Sequence, residues 1–146
     1  VVDVVDRFIK IIKPSKIYFG EKDMQQLKII EHFVIKNYSG IKVIGCKTIR
    51  EKNGIACSSR NFLLSLNEKK IASKIYHYIK YIKKKFIKRQ INLNTVKENI
   101  YKLGVKKIDY IQMLDINEIL IKNKKNSRFR IFVAYYLGTT RIIDNI

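Results

Sequence analysis

Side chains suited to phosphate chemistry occur at two places in the first half of the chain. The first place follows a short apolar run that ends at Gly20, and it contains Lys22, Asp23 and Gln26. A lysine ammonium can neutralise a phosphate, and an aspartate can accept hydrogen bonds from ribose hydroxyls. A helix beginning near Asp23 would add its free N–H groups to such a site. An ordinary helix start with solvated charges has the same residue types, so both interpretations remain open.

The second place is the sequence Ser58-Ser59-Arg60-Asn61, which opens a helical stretch. Two hydroxyls and a guanidinium in succession can surround an anion, and each charge-assisted hydrogen bond contributes about 1.5–3 kcal/mol. Serine is also a common N-cap and turn residue, so a purely structural role is the alternative. Together with Lys22, these residues would suit a triphosphate, although neither place is decisive by itself.

Helix and strand patterns alternate through residues 1–48, and they would position the first group of residues. Apolar spacing predicts helices over 1–13 and 23–37, a short buried strand over 16–20 and a second strand over 41–45. This order with short links predicts a βαβ unit and therefore a parallel sheet. Ligands of open α/β sheets bind beyond the carboxyl ends of the strands, where the first group of residues is expected.

From residue 49 onward, a polar loop precedes further helices and strands, and the dipeptide Asn53-Gly54 predicts a turn within that loop. These predicted elements cover residues 67–90, 94–104, 107–116, 129–137 and 140–143. Asn94 is the expected cap of the second of these helices. In the following strand we expect Ile108 and Tyr110 on one face and Ile111 on the other. The predicted fold class is α/β, with a piece of an α/β domain at 1–48 and a small α+β domain at 49–146.

Bulk composition limits the class of protein. The chain has 146 residues and no run of about 18 uncharged apolar residues, so we expect no association with a membrane. Its two cysteines are too few for a zinc site or a secreted disulfide framework, which indicates a reducing, cytoplasmic location. The chain begins with Val1 and lacks the layout of a signal peptide, as expected for part of a longer protein.

The formal net charge of +19 permits two interpretations. Lysine runs at Lys83–Lys85 and Lys122–Lys125 would suit a basic nucleic-acid-binding module, because clustered lysines neutralise phosphates. The same charge follows from heavy use of Lys, Ile, Asn and Tyr along the whole chain. We favour the compositional explanation, since charge runs are usually solvated surface, and the nucleic-acid module stays as the alternative function.

In order and spacing, the motifs of this chain resemble those of the pantothenate synthetase (pantoate–β-alanine ligase) family. The family motif Tyr-Phe-Gly-Glu-Lys-Asp-x-Gln-Gln appears at Tyr18–Gln26, and Pro-Thr-Val-Arg-Glu appears as Lys47–Glu51. The motif Asp-Gly-Leu-Ala-Met-Ser-Ser-Arg-Asn appears as Asn53–Asn61, and the chain closes like the family with Tyr136–Asn145. The resemblance covers essentially the whole chain.

The resemblance implies that 1–48 is the last part of a Rossmann-like nucleotide-binding domain and that 49–146 is a C-terminal lid domain with an antiparallel sheet. It also implies a reaction in two steps. With magnesium present, the carboxylate of pantoate attacks the α-phosphate of ATP, which gives pantoyl adenylate and pyrophosphate. The amine of β-alanine then displaces AMP. A homodimer formed through the nucleotide domain is implied for the whole protein.

The resemblance also implies roles for individual residues. Lys22 would hold phosphates, Asp23 the ribose and Gln26 the pantoate. The other residues implied in ATP binding are Gly20, Ile49, Cys57, Ser58, Ser59 and Arg60. The last three would bind the β- and γ-phosphates and, with Lys22, form the catalytic group. No residue is implied as a metal ligand.

Some positions depart from the family pattern. Lys47 replaces a proline, Asn53 an aspartate and Cys57 a methionine. The family's His-x-Gly-His motif, which contacts nucleotide phosphates, does not occur in this sequence, and we interpret His32 and His77 as structural or surface residues. The chain is therefore interpreted as the C-terminal portion of a family member, and we expect little or no ligase activity from it alone.

Overall fold

The computed structural model describes residues 1–86, 92–116 and 129–146, and its described residues form two compact units. The first unit contains Val1–Thr48 and Ile116, and the second contains Ile49–Asp115 and Phe129–Ile146. Each unit has its own sheet and its own hydrophobic core. Within the described ranges, every helix is too short or too polar to cross a bilayer.

The first unit is a βαβ arrangement preceded by a helix. Its elements are α1 (Val2–Ile12), β1 (Lys16–Gly20), a one-turn 3₁₀ helix (Glu21–Asp23), α2 (Met24–Asn37) and β2 (Lys42–Cys46). The two strands are parallel, with Lys16 opposite Lys42 and Gly20 opposite Cys46. The predicted order of elements and the predicted parallel pairing are confirmed.

The core of the first unit lies between its helices and one face of its sheet. Its buried residues come from both helices and are Ile9, Ile30 and Val34. Ile17 and Phe19 of β1 pack against this core, whereas Tyr18 between them is 62% exposed. The prediction of a buried strand is therefore wrong for β1, because its side chains alternate between the core and an exposed face.

The second unit contains two helices and a three-stranded antiparallel sheet. Its elements are a 3₁₀ helix (Ser59–Leu63), α3 (Leu66–Phe86), α4 (Leu93–Lys102), β3 (Lys107–Asp115), β4 (Phe129–Leu137) and β5 (Thr140–Asn145). The strand order is β3-β4-β5, and Gly138 lies in the turn between the last two strands. Buried residues of both helices and all three strands form one core, including Ile75, Ile79, Ile100, Ile131 and Ile142. The predicted end of the α3 helix, at 87–90, lies outside the described residues.

Two local predictions in this unit are wrong. Asn92 rather than Asn94 is the N-cap of α4, because the Asn92 side chain accepts the N–H of Asn94 at 2.9 Å. In β3 the register shifts between Ile108 and Tyr110, which inserts one extra residue opposite β4. Such a bulge reverses the faces of all following side chains, so Ile111 joins Ile108 in the core.

Candidate functional site

The first group of polar residues lies at the carboxyl end of the parallel sheet. β1 ends at Gly20, the chain turns through the 3₁₀ helix, and α2 begins at Met24. Asp23 is the N-cap residue of α2, yet among the described residues its exposed side chain makes no capping hydrogen bond. The Asp23 carboxylate is therefore available to a ligand. In an ordinary capped helix start, the same carboxylate would accept a backbone N–H group instead.

Lys22 and Gln26 are both half-buried beside this turn. Gln26 lies about one helical turn beyond Lys22, and its amide has no hydrogen-bond partner in the part of the chain that the structure describes. The helix start is held against the sheet, since a Cβ added to Gly45 of β2 would lie 3.0 Å from Cδ2 of Leu27. The close packing of α2 on β2 thus fixes the backbone positions from which the side chains of Lys22 and Gln26 extend.

The second group of polar residues follows a small hairpin. Arg50 and Ala56 form an antiparallel bridge, and the N–H of Cys57 donates to the carbonyl oxygen of Ile49 at 2.9 Å. Gly54 lies in the turn with a φ of +90°, a conformation that side chains other than glycine rarely adopt. The predicted turn at Gly54 is confirmed.

Arg50 attaches this hairpin to the rest of the second unit. Its Nη1 and Nη2 donate to the two carboxylate oxygens of Asp144 at 2.7 and 2.9 Å, and Nη1 also donates to the carbonyl oxygen of Gly54 at 3.0 Å. The guanidinium lies 4.4 Å from the centre of the Tyr76 ring. Burial is the largest single influence and lowers the pKa of Arg50, but the hydrogen bonds from Arg50 to Asp144, the negative charge of Asp144 and a contribution from Tyr76 together outweigh it. The pKa is therefore raised overall, and the group stays charged.

The Ser58–Arg60 segment follows the hairpin and contains one half-buried and two exposed side chains. Ser58 is extended, and its Oγ accepts the N–H of Arg60 at 3.3 Å, which confirms its role as an N-cap. The side chains of Ser59 and Arg60 are exposed and have no hydrogen-bond or ion-pair partner among the described residues. An anion can therefore bind this guanidinium and the neighbouring hydroxyl without breaking an existing contact.

Comparison with known proteins identifies the family. The pantoate-beta-alanine ligase family matches this chain over residues 1–146. The chain belongs to this family. The pantothenate synthetase of Clostridium botulinum (strain Loch Maree / Type A3) is 38% identical over 146 residues, which cover 97% of this chain and 52% of the relative. That of Flavobacterium psychrophilum is 35% identical and covers 98% of this chain and 52% of the relative. The chain thus spans about half the length of the curated relatives it matches.

Solved structures of the same family have the same fold. The pantoate-beta-alanine ligase of Francisella tularensis, complexed with beta-gamma ATP and beta-alanine, matches with a TM-score of 0.71 and 35% identity over 99% of this chain and 48% of that one. The pantothenate synthetase of Thermus thermophilus matches with a TM-score of 0.84 and 28% identity, over 99% of this chain and 54% of that one. These matches confirm the predicted fold class, which is Rossmann-like α/β with a separate antiparallel sheet.

Each unit brings together its own share of the residues that the family motifs indicate. The first unit places four of them at the end of β1 and the start of α2: Gly20, Lys22, Asp23 and Gln26. The second unit places the others on the hairpin and the segment that follows it: Ile49, Cys57, Ser58, Ser59 and Arg60. Ile49 is 75% exposed at the base of the hairpin. The contacts of these residues with ATP and pantoate stay predictions.

The sequence did not reveal the side chains that hold the hairpin in place. Arg50 pairs with Asp144, which is 94 positions away, and Glu51 pairs with Asn61, which is 10 positions away. Arg50, Glu51 and Asn61 all lie within the ligase family motifs, but their types and spacing do not name their partners. The sequence signal for these contacts was the high proportion of polar residues in a short loop.

The two histidines and the lysine run at Lys83–Lys85 lie on α2 and α3, outside the strand-end turn and the hairpin segment. His32 and His77 are both exposed, as expected for surface residues, and His77 makes an edge contact with the Tyr76 ring at 5.1 Å. Burial, with a further contribution from Arg130, lowers the pKa of half-buried Lys83, while its two lysine neighbours are exposed. The run at 122–125 lies outside the described residues.

Proposed function

We propose that this chain takes part in the ATP-dependent condensation of pantoate with β-alanine, the pantothenate synthetase reaction of the biosynthetic route to coenzyme A. In the first step a carboxylate oxygen of pantoate bonds to the α-phosphorus of ATP, and pyrophosphate leaves. In the second step the β-alanine nitrogen bonds to the pantoyl carbonyl carbon, AMP leaves with the bonding electrons, and the nitrogen loses a proton. Such chemistry depends on alignment and charge neutralisation more than on a protein nucleophile.

The Ser58–Arg60 segment, in which Ser59 and Arg60 are exposed, supports this proposal best, because it follows a hairpin that Arg50 attaches to Asp144. Its guanidinium and hydroxyls would bind the β- and γ-phosphates and neutralise the charge that the departing pyrophosphate develops. The Francisella tularensis relative, which is complexed with beta-gamma ATP and beta-alanine, supports the same ligands for this chain. Among the described residues, the free groups of Ser59 and Arg60 are of the type that phosphate oxygens require.

The strand-end residues of the first unit would bind other parts of the substrates. Lys22 would hold phosphates, the uncapped carboxylate of Asp23 would accept from the ribose hydroxyls, and the amide of Gln26 would bond to pantoate. Backbone at Gly20 in this unit, and backbone near Ile49 and Cys57 in the second unit, would also contact ATP. These roles follow from the family motifs and agree with the free carboxylate of Asp23 and the free amide of Gln26 in the described structure.

Magnesium would enter this reaction together with ATP. The described ranges contain no group of three or more His, Cys, Asp or Glu side chains that could hold a metal ion. Magnesium usually keeps several waters and binds through phosphates with few protein ligands, so MgATP can be the substrate without a dedicated metal site. From the family resemblance we further propose that the whole protein is a cytoplasmic homodimer.

Calorimetric titration of the 146-residue chain with MgATP tests the nucleotide site. Loss of one charge-assisted contact should weaken binding roughly ten- to a hundredfold, so Arg60→Ala and Lys22→Ala should each raise Kd by that factor. Lys52→Ala removes the same charge from an exposed position of the hairpin, and Lys16→Ala removes it from the opposite end of β1. If Arg60→Ala binds MgATP as these two controls do, the proposed phosphate contact is wrong.

Pantoate-dependent ATP–pyrophosphate exchange tests the reaction itself. The chain alone should show little or no exchange, and a chimera joining it to the unmatched part of the Clostridium botulinum relative should restore it. Arg60→Ala in the chimera should abolish the restored exchange, while Lys52→Ala should not. A folded but inactive chimera would contradict the proposed function. Exchange at a normal rate by the chain alone would contradict the interpretation that the reaction also needs residues outside this chain.

The alternative of a nucleic-acid-binding module rests on the exposed Lys84 and Lys85 at the end of α3. It predicts tight binding to DNA or RNA of any sequence, with affinity that falls steeply as salt rises. We expect only weak binding that Lys83→Glu with Lys84→Glu leaves almost unchanged. Tight binding that this double variant removes would favour the alternative.

A further inference from the structure

Three polar side chains form a hydrogen-bonded cluster beside the Ser58–Arg60 segment: Glu51, Asn53 in the hairpin turn, and Asn61, which follows the segment. The Glu51 carboxylate accepts one hydrogen bond from Nδ2 of Asn61 at 2.6 Å and another from Nδ2 of Asn53 at 3.2 Å. Asn61 is only 4% exposed, and its Nδ2 also donates to the carbonyl oxygen of Ala56 at 3.1 Å. Both N–H groups of the Asn61 amide are therefore used inside this cluster.

Asn61 makes hydrogen bonds to two residues that precede Ser59 and Arg60 in the chain, one through its backbone and one through its side chain. The backbone N–H of Asn61 donates to the carbonyl oxygen of Ser58 at 3.0 Å, and the Asn61 amide reaches back to Ala56. These hydrogen bonds close the loop from Ala56 to Asn61, and Glu51 connects that loop to the hairpin turn. A ligand that binds this segment therefore does not have to order the backbone of the segment. Ordering the backbone of one residue on binding would weaken the affinity by a factor of about 5–30.

We propose that Glu51 and Asn61 are positioning residues for the phosphate-binding segment. This inference rests on the proposed function, because it assigns a purpose to the geometry of the Ser58–Arg60 segment. Neither residue would touch ATP; they would act by keeping the Arg60 guanidinium and the serine hydroxyls in one arrangement. A carboxylate at position 51 can accept from two amide groups at once, whereas a glutamine there would direct its own NH₂ at one of them.

The substitution Glu51→Gln separates positioning from simple electrostatics. Removal of a negative charge near an anion site should tighten ATP binding if charge alone matters. Loss of the hydrogen bond to Asn53 or Asn61 should instead weaken ATP binding, by roughly five- to thirtyfold if about one residue must be ordered again. The two explanations therefore predict changes of opposite sign.

A second substitution should restore the cluster. In Glu51→Gln with Asn53→Asp, the new carboxylate can accept from the Gln NH₂ and from the N–H of Ile55, which donates to Oδ1 of Asn53 at 3.0 Å. The net charge then equals that of the original chain, and the carbonyl oxygen of the Gln still accepts from Asn61. We expect this double variant to recover most of the lost ATP affinity, which a general loss of stability would not explain.

The experiment measures Kd for MgATP by calorimetry in the 146-residue chain, at a temperature where circular dichroism shows every variant folded. Asp109→Asn is the control, because it removes one negative charge from an exposed ion pair with Arg141 in the same unit. Weaker binding in Glu51→Gln, recovery in the double variant and no change in the control support the proposal. Equal or tighter binding in Glu51→Gln overturns it, and Asn53→Ala provides the milder change if Glu51→Gln does not fold.

Amide hydrogen exchange keeps this inference separate from the proposed function. In Glu51→Gln the amides of Arg60 and Asn61 should exchange faster than in the original chain, and the double variant should slow them again. If the original chain does not bind MgATP, the nucleotide site proposed for this chain fails, but these exchange rates still test whether the cluster holds the segment. Unchanged exchange in Glu51→Gln overturns the positioning role whatever the ATP result.

Discussion

Removal of Arg50 should destabilise the second unit far more than removal of an exposed arginine. Its bidentate pair with Asp144 leaves only 19% and 10% of the two side chains exposed. Arg50→Met would leave the Asp144 carboxylate among protein atoms with one hydrogen bond from the described residues, donated by the N–H of Asn145 at 2.8 Å. It would also remove the donor to Gly54 and the cation over the Tyr76 ring.

The expected magnitude follows from this burial. Removal of one partner from a buried ion pair costs about 3–5 kcal/mol, and residual exposure of both side chains favours the lower end, about 3 kcal/mol. Arg50→Lys keeps the charge but loses the second hydrogen bond and the planar contact with the ring, so it should cost about 1–2 kcal/mol. Because removing both charges leaves none unpaired, Arg50→Met with Asp144→Leu should cost less than Arg50→Met alone.

Urea unfolding followed through the amide signals of β4 and β5 measures the stability of the second unit directly. Arg141→Met is the matched control, because the Arg141–Asp109 pair joins the same residue types at 2.7 Å with 42% and 25% of the side chains exposed. It should cost less than about 1 kcal/mol. Equal losses of stability in Arg50→Met and Arg141→Met would refute the assignment of Arg50 as the residue that attaches the hairpin.

Three further changes test other parts of the structure. Gly54→Ala should destabilise the second unit by about 2–4 kcal/mol in the same assay, because the backbone is left-handed there and the new Cβ would lie 2.2 Å from the Tyr76 ring. Ile100→Ala should cost about 2–5 kcal/mol, since this side chain is fully buried in the core. The hydrogen bond from Lys10 lowers the pKa of Asp6, so its contribution to stability is present above the ordinary aspartate pKa and disappears as pH falls through the lowered value. The melting temperature should therefore fall less steeply with acid in Asp6→Asn than in the original chain, and equal slopes would contradict this.

Local patterns in the sequence were sufficient to predict most helices and strands. Apolar spacing predicted α1, α2 and both parallel strands, because each element buries one face and shows the matching period. Proline and glycine are typical just past helix ends, and Pro14 and Gly104 stand in such places in the sequence. In the structure Lys13, before Pro14, is left-handed, and Gly104 has a φ of +107°. The chemistry of the two candidate segments was also visible, since residue type alone defines which groups can bind phosphate.

Features that depend on partners distant in the sequence were not predictable. The bulge at Asp109 has no local signal, yet it reverses the face on which Ile111 lies. The pair of Arg50 with Asp144 and the use of Glu51 by two amides require the folded second unit to bring them together. Exposure of Tyr18 likewise depends on what packs against β1, which periodicity does not specify.

Titration of the ¹⁵N-labelled chain with MgATP tests most directly whether the strand-end residues and the hairpin segment bind the same nucleotide. We predict that the amides around Lys22 and around Ser58–Arg60 shift together, saturate at one ATP per chain and give a single Kd. In Arg60→Ala the shifts around Lys22 should saturate only at a higher ATP concentration. If only one of the two segments responds, or if the two give different dissociation constants, the nucleotide site proposed for this ligase family member is wrong.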